Sequence, residues 1–287
     1  MASMDVLIVG AGEMGTWFGQ ATDATVTFAD VDKDAAVAAA GAVGDDAETT
    51  DLEGTESYDV VCIAVPIGHV VEAIADHAGR AERAIVDVSG VMEPPLEAMA
   101  THAPALERAS FHPLFAPERA PGSIAVASDK PGPTIDALLE SLVARGNDPL
   151  ETTATEHDEA METVQAATHA AVLSFALAAE SVPDGFETPI YQGLRQLTKQ
   201  VTGGTPRVYA DIQQTFDGAD RVADAASAIA DADPATLESL YRDAAQQWHG
   251  EDHTADDCES DHVRTRRDAG TMDREPVADE TDGGPTE

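Results

Sequence analysis

Four groups of residues have the types and spacing to do chemistry. The first is Gly10, Gly12 and Gly15, in G-x-G-x-x-G order between an apolar run and a helical stretch. A tight turn, close backbone approach and a helix N-terminus together suit a pyrophosphate. Asp30 is the second: it ends the next apolar run, twenty residues after Gly10. There a carboxylate accepts hydrogen bonds from a ribose and repels the extra phosphate of NADP. The expected cofactor is NAD, with Glu13 and Met14 in the loop and Val65 and Pro66 after a third apolar run also contacting it.

The third group is Ser89 in "DVSGV" and His112 in "FHPLFAP". Both fall at ends of predicted strands, where open α/β sheets place their ligands. Pro113 fixes its own φ and pushes His112 towards an extended backbone. An imidazole held this way beside a nicotinamide can accept a proton as hydride leaves. Alone, such a histidine is more often a core residue bonded to a carbonyl. The fourth group is "EHDEAMETVQAATHA" (156–170), with Gln165 and His169 one turn apart on one helical face. His169 alone would read as helix packing.

The elements that must position these groups follow from periodicity. "MDVLIVG", "TVTFAD", "YDVVCIAVP" and "RAIVDVS" are apolar runs separated by helical stretches such as "IGHVVEAIADHAG". Buried strands alternating with helices predict a parallel, doubly wound, Rossmann-type sheet. "ERASFHPL" and "SIAVAS" predict two more strands, and "TIDALLESLVARG" a helix. From residue 153 only helices are expected, beginning with one long helix whose Thr155 and Asp158 are spaced as a capping box. The expected architecture is thus α/β: a nucleotide-binding sheet domain over 1–152, an all-α helical domain over 153–249, and an acidic disordered tail over 250–287.

Composition narrows the partners. The 54 acidic and 16 basic residues give a formal net charge of -38, and the lysines are only Lys33, Lys130 and Lys199. Nucleic acid and anionic membranes both require cations, so neither is an expected partner. An acidic, lysine-poor surface is a halophile's pattern, and a halophilic, archaeal host is expected. The longest apolar run, Ala170 to Ala179, is too short to span a bilayer. Cys62 and Cys258 have no framework partner, so a reducing cytoplasm fits. The scatter of the other histidines gives no metal-ligand spacing, and Ser89 lies on no nucleophile elbow.

These motifs, taken together, resemble the prephenate dehydrogenase family. "FHPLFAP" is similar to its H-P-M-F-G-P motif and "DVSGV" to its strand-end serine motif. "EHDEAMETVQAATH" is similar to its E-H-D-x-x-M-x-x-x-Q-A-x-x-H helix, and "TPIY" (188–191) and "VYADI" (208–212) to later segments. The resemblance covers about residues 5 to 249. It implies NAD-dependent oxidative decarboxylation of prephenate to 4-hydroxyphenylpyruvate, on the route to tyrosine. His112 would accept the hydroxyl proton, Ser89 would orient His112 and substrate, and His169 would contact substrate.

The match departs from the family at two places. Ala116 stands where the family usually has glycine, and Gln200 stands at the position of an expected carboxylate-binding arginine. Lys199 is the expected substitute, with Arg195 second and Gln165 also at the substrate. The resemblance, with the apolar helix "AAVLSFALAA", further implies a homodimer through the helical half. Arogenate dehydrogenase is a close variant. A β-hydroxyacid-type dehydrogenase or imine reductase would leave "FHPLFAP" without an account. A non-catalytic NAD-sensing protein would leave Ser89, His112 and His169 without one.

Overall fold

The computed structural model describes residues 4–183 and 185–250. The expected acidic tail, apart from Gly250, lies outside the described residues. Contacts group Met1–Ala225 as one compact unit, and the described residues from Ala226 onward belong to a second.

The first unit is built on an eight-stranded sheet. In chain order the strands are β1 (Asp5–Val9), β2 (Thr25–Ala29), β3 (Glu48–Thr49), β4 (Tyr58–Ile63), β5 (Ala81–Asp87), β6 (Glu107–Pro113), β7 (Ser123–Lys130) and β8 (Asp148–Glu151). Their spatial order is β3-β2-β1-β4-β5-β6-β7-β8. All neighbours are parallel except β6 and β7, which run antiparallel. The order reverses between β1 and β4, and ligands of such sheets bind outside the strand ends at that point.

The apolar runs form strands because both sheet faces are covered. Val6 and Ile8 of β1 point into one core with Phe18, Phe28, Val60, Phe111, Leu138 and Leu142. Leu7 and Val9 point into the other, with Ile63, Ile74, Ile85, Met92 and Met99. Helices α1 (Glu13–Ala21), α2 (Lys33–Val43) and α5 (Pro133–Ala144) supply the first core, and α3 (Val70–His77) and α4 (Glu93–His102) the second.

The long helix expected after residue 153 is continuous but not uniform. It comprises α6 (Ala154–Met161), a π-helical stretch (Glu162–Ala167) and α7 (Thr168–Ala178). Its cap lies two residues earlier than the spacing implied. Thr153 has the extended backbone an N-cap needs (φ -94°, ψ 156°), and it forms a capping box with Glu156. Thr155 is already helical, so its hydroxyl turns to Glu93, and Asp158 is used elsewhere. Helices α8 (Pro189–Thr202), α9 (Pro206–Thr215), α10 (Gly218–Asp231) and α11 (Pro234–Gly250) complete the described chain. A third, small core joins Val91, after β5, to Met161 and Ala166 on the long helix and to Ile212 and Phe216 beside it. No helix among the described residues is long and apolar enough to cross a membrane.

Candidate active site

The glycine loop is shaped by what a Cβ would strike. Gly10 has φ +106°, and a Cβ there would lie 2.3 Å from the Ala64 carbonyl oxygen at the end of β4. A Cβ on Gly15 would lie 2.1 Å from the Gly10 oxygen. Only glycine lets β1 turn into α1 so close to β4. Gly12 meets nothing within 4 Å, so the loop leaves open space where its helix begins. Gly12 is the N-cap of α1 and offers no side-chain cap, leaving first-turn N–H groups available to an anion. Asp30 lies beside the loop: its Oδ2 accepts the Ala11 N–H at 2.6 Å. Glu13 and Met14 open α1, and Val65 and Pro66 follow β4 at the point where the strand order reverses. Open space, free N–H groups and a carboxylate at the next strand end fit a dinucleotide.

His112 is buried on β6, extended as Pro113 requires, and paired in register with Ala125 of β7. Its ring is held by a relay. His112 Nδ1 lies 2.8 Å from His157 Nε2, and His157 Nδ1 lies 2.7 Å from Asp158 Oδ1. Asp158 is acceptor-only here. Its Oδ1 also takes the Met92 N–H at 2.9 Å, and its Oδ2 takes the Glu93 N–H at 3.0 Å, capping α4 from a different helix. The tautomers follow in order. Asp158 takes the proton-bearing Nδ1 of His157, which leaves His157 Nε2 bare. That nitrogen accepts from His112 Nδ1–H, which leaves His112 Nε2 with a free lone pair. Gln165 Nε2 faces this lone pair at 3.2 Å. Burial first, and the neighbouring His157 second, push the His112 pKa down to about 3, against the opposing pull of Asp158. His112 is therefore a neutral acceptor.

The π-helical stretch brings two relay partners onto one face. In an uninterrupted α-helix Gln165 would lie about 80° round the axis from His157, and His169 about 120°. Wider i→i+5 turns subtract from both offsets. Gln165 thus reaches the same imidazole as His157. His169 packs its ring edge-on against Tyr209 of α9, with centroids 4.7 Å apart. Its Nδ1 and the Gln165 Oε1 are buried without a partner among the described residues. Unpartnered buried polar atoms are uncommon and mark places where a ligand can complete the bonding.

The hydrogen bonds of Ser89 go to Asp87 and Val91, so any effect on His112 passes through the loop they hold. The Ser89 hydroxyl lies 2.5 Å from Asp87 Oδ2 and donates to the Val91 carbonyl at 2.8 Å. A hydroxyl has one hydrogen, so it serves one of these two acceptors at a time, and Asp87 Oδ2 also accepts the Ser89 N–H at 3.0 Å. Burial raises the Asp87 pKa to about 7, against the hydrogen bonds of Ser89. Its Oδ1 is buried without a hydrogen-bond partner among the described residues. Ser89 and Asp87 shape the loop that leads to Gly90. A Cβ on Gly90 would lie 3.4 Å from Ile67 and 3.7 Å from His112 Nε2, so on this side the glycine leaves room beside the nitrogen that Gln165 meets from the helix.

The remaining expected site residues lie on α8. Arg195 is exposed and pairs with Glu187. Lys199 is exposed near the helix end. Neither contacts the relay. Sequence reasoning left His157 and Asp158 out of the site, although an adjacent His-Asp pair at a helix start was the available signal.

A reversed-order parallel sheet, a glycine loop and a neutral imidazole acceptor at a strand end define the class: a Rossmann-type nucleotide-binding dehydrogenase. The family model described as "Prephenate dehydrogenase, nucleotide-binding domain" matches residues 19–128. A curated relative, 4-amino-4-deoxyprephenate dehydrogenase of Streptomyces pristinaespiralis, is 32% identical over 232 residues, covering 75% of this chain and 78% of that one. Two solved structures share the fold. Prephenate dehydrogenase from A. aeolicus, in complex with hydroxyphenyl propionate and NAD+, has a TM-score of 0.64 at 15% identity, covering 90% of this chain and 98% of that one. Synechocystis arogenate dehydrogenase has a TM-score of 0.56 at 16% identity, covering 88% and 100%. The chain belongs to the prephenate dehydrogenase family.

Proposed function

We propose that this protein oxidises and decarboxylates prephenate with NAD+, giving 4-hydroxyphenylpyruvate for tyrosine synthesis. The observation that carries this reading is the relay ending in a bare His112 Nε2. When bound at the glycine loop, NAD+ supplies the acceptor for a hydride from the ring carbon that bears the hydroxyl.

As that carbon–hydrogen bond breaks, the hydroxyl oxygen becomes a carbonyl and gives its proton to His112 Nε2. A weak base suffices, because an alcohol losing hydride becomes a strongly acidic protonated ketone. The ring carboxylate then leaves as carbon dioxide. Its bonding electrons make the ring aromatic, and the ring oxygen takes the proton back from His112. Gln165 moves from the imidazole to the substrate, and His169 contacts substrate from the helical side. Burial lowers the pKa of His169, keeping it neutral as a hydrogen-bonding group.

Arogenate would undergo the same steps, since it differs only in the side chain. A 4-amino substrate has its own support in the 32% identical relative: nitrogen would replace the ring oxygen, and His112 would accept from N–H. Asp30 favours NAD over NADP. We further propose a cytoplasmic homodimer. Leu177, Phe186 and Ile190 are 88%, 76% and 79% exposed at the α7–α8 end, an apolar surface that a second copy would cover.

The test is turnover in molar KCl with NAD+ and, separately, prephenate, arogenate and 4-amino-4-deoxyprephenate, following NADH. The highest kcat/KM is expected with prephenate. A higher value with the amino compound would replace the substrate and keep the mechanism. No NADH from any of them would sink the reading. Light scattering at the same salt should give a dimeric mass; a monomer would refute the proposed assembly.

A further inference from the structure

The relay supplies a base, an amide and a carboxylate that only accepts, but no cation, whereas the proposed substrate carries two carboxylates. The helix α9 brings one to the site from an unexpected position. Its Tyr209 lies edge-on to His169, and its Ile212, with Phe216 just past its end, enters the small core that includes Ala166 of the π-helical stretch. At its N-terminal turn, Arg207 Nη2 donates to His69 Nε2 at 3.0 Å. His69 belongs to the short turn Ile67–His69 after β4, and Ile67 is the residue that adjoins Gly90 beside His112 Nε2. One turn of α9 therefore connects the two walls of the site: the turn next to His112 and the ring of His169.

Resting on the reading above, we propose that Arg207 binds a substrate carboxylate, in place of the arginine missing at position 200. Its guanidinium is held but not consumed. His69 takes Nη2, and Asp211 lies 3.8 Å from Nε on the same edge. Nη1 has no partner among the described residues, so the outer edge is open to a planar acceptor. Arg195 is committed to Glu187 on α8. Lys199 is a point charge, without the fork that receives a carboxylate in two parallel bonds. The unpartnered Gln165 Oε1 and His169 Nδ1 supply neutral contacts nearby, leaving charge recognition to the arginine.

The test compares Arg207→Ala and Arg207→Lys with wild type. Kinetics with the best of the three substrates gives one readout. Calorimetric titration of 4-hydroxyphenylpropionate, and of its uncharged amide, into the NAD+-loaded protein gives another. Arg207→Ala should raise substrate KM about ten- to a hundred-fold, with a smaller change in kcat and an unchanged Kd for NAD+. Affinity for the carboxylate ligand should fall by a similar factor and that for the amide should not. Arg207→Lys should lie between. Arg145→Ala, which removes an arginine after α5, controls for loss of charge alone. An unchanged KM in Arg207→Ala, or a rise matched by Arg145→Ala, overturns the assignment and leaves the proposed function standing. Failure of the wild type with every substrate removes the reading, and this inference with it.

Discussion

The Nδ1 of His112 lies 2.8 Å from the Nε2 of His157, with the two rings crossed at 78°. Two imidazole nitrogens at this distance share one proton, and which ring owns it is decided by Asp158 on the far side. The acceptor at His112 Nε2 is thus set by a residue that does not touch it. A histidine fixed by a strand and a proline has an orientation; only the relay gives it a tautomer.

Breaking the relay should separate orientation from protonation state. His157→Ala leaves His112 Nδ1 unpaired and frees the other tautomer. The expected result is a roughly ten- to hundred-fold loss of kcat, smaller than the hundred- to ten-thousand-fold loss for His112→Asn. Affinity for NAD+ should be unchanged in both. His157→Gln, whose side-chain oxygen can accept from His112 Nδ1, should recover part of the loss. Equal rates in His157→Ala and wild type would remove the relay from the mechanism.

Asp158 has a second task, so its variant should show two losses. Asp158→Asn leaves one acceptor oxygen where the carboxylate served His157, Met92 and Glu93. Losing a helix cap costs about 1 kcal/mol, or roughly 2–4 °C in Tm for a protein of this size. The kcat should fall as well, because an amide N–H facing His157 would reverse the proton order. A variant with lowered Tm and full kcat would show that Asp158 only caps α4.

Two buried groups should give opposing pH slopes in stability. The folded pKa of His112 is depressed to about 3 from 6.5, so its contribution is present above 6.5 and is lost as pH falls towards 3. The folded pKa of Asp87 is raised from 3.8 to about 7, so its contribution is present below 3.8 and is lost as pH rises through 7. Between about pH 4 and 6.5 the two partly cancel. His112→Gln should therefore be less stable at pH 6.5 than at pH 4, relative to wild type, and Asp87→Asn the reverse. Denaturant midpoints across this range, at fixed high salt, read the slopes. Parallel profiles for both variants and wild type would rule out this pair as the source.

Much of this was legible before the structure. The strands announced themselves because both sheet faces are buried, which makes residues 6–9 of β1, 60–63 of β4 and 84–86 of β5 continuous apolar runs. Gly10, Gly15 and Asp30 were legible because backbone approach and carboxylate position leave few alternatives. Periodicity does not encode direction, so the antiparallel turn of β7 was not. The strand β3 has two residues, and β8 is mostly exposed, so neither carries an apolar signature. The π-helical stretch has no spacing rule of its own. Tertiary contacts hid the rest: Asp158 caps a helix sixty-six positions away from it in the chain, and Arg207 meets His69 across one hundred and thirty-eight.

The charge balance yields the last prediction. With 54 acidic and 16 basic residues, the folded chain holds its carboxylates closer together than the unfolded chain does. Self-repulsion therefore weighs on the folded state, and salt relieves it. The Debye length falls from about 10 Å at 0.1 M to about 3 Å at 1 M, shorter than most spacings between surface charges. Exposed pairs such as Lys33–Asp51 and Arg242–Glu238 offset little of this, since such pairs contribute little each and salt screens them too. Thermal unfolding in KCl should show Tm rising by roughly ten degrees between 0.1 and 2 M, which corresponds to several kcal/mol for a chain of this size. Activity should rise over the same range if the folded population limits it. Potassium chloride and tetramethylammonium chloride should act alike below 1 M if screening is the cause. A Tm that is flat or falls with salt would show that the acidic surface is not a salt adaptation.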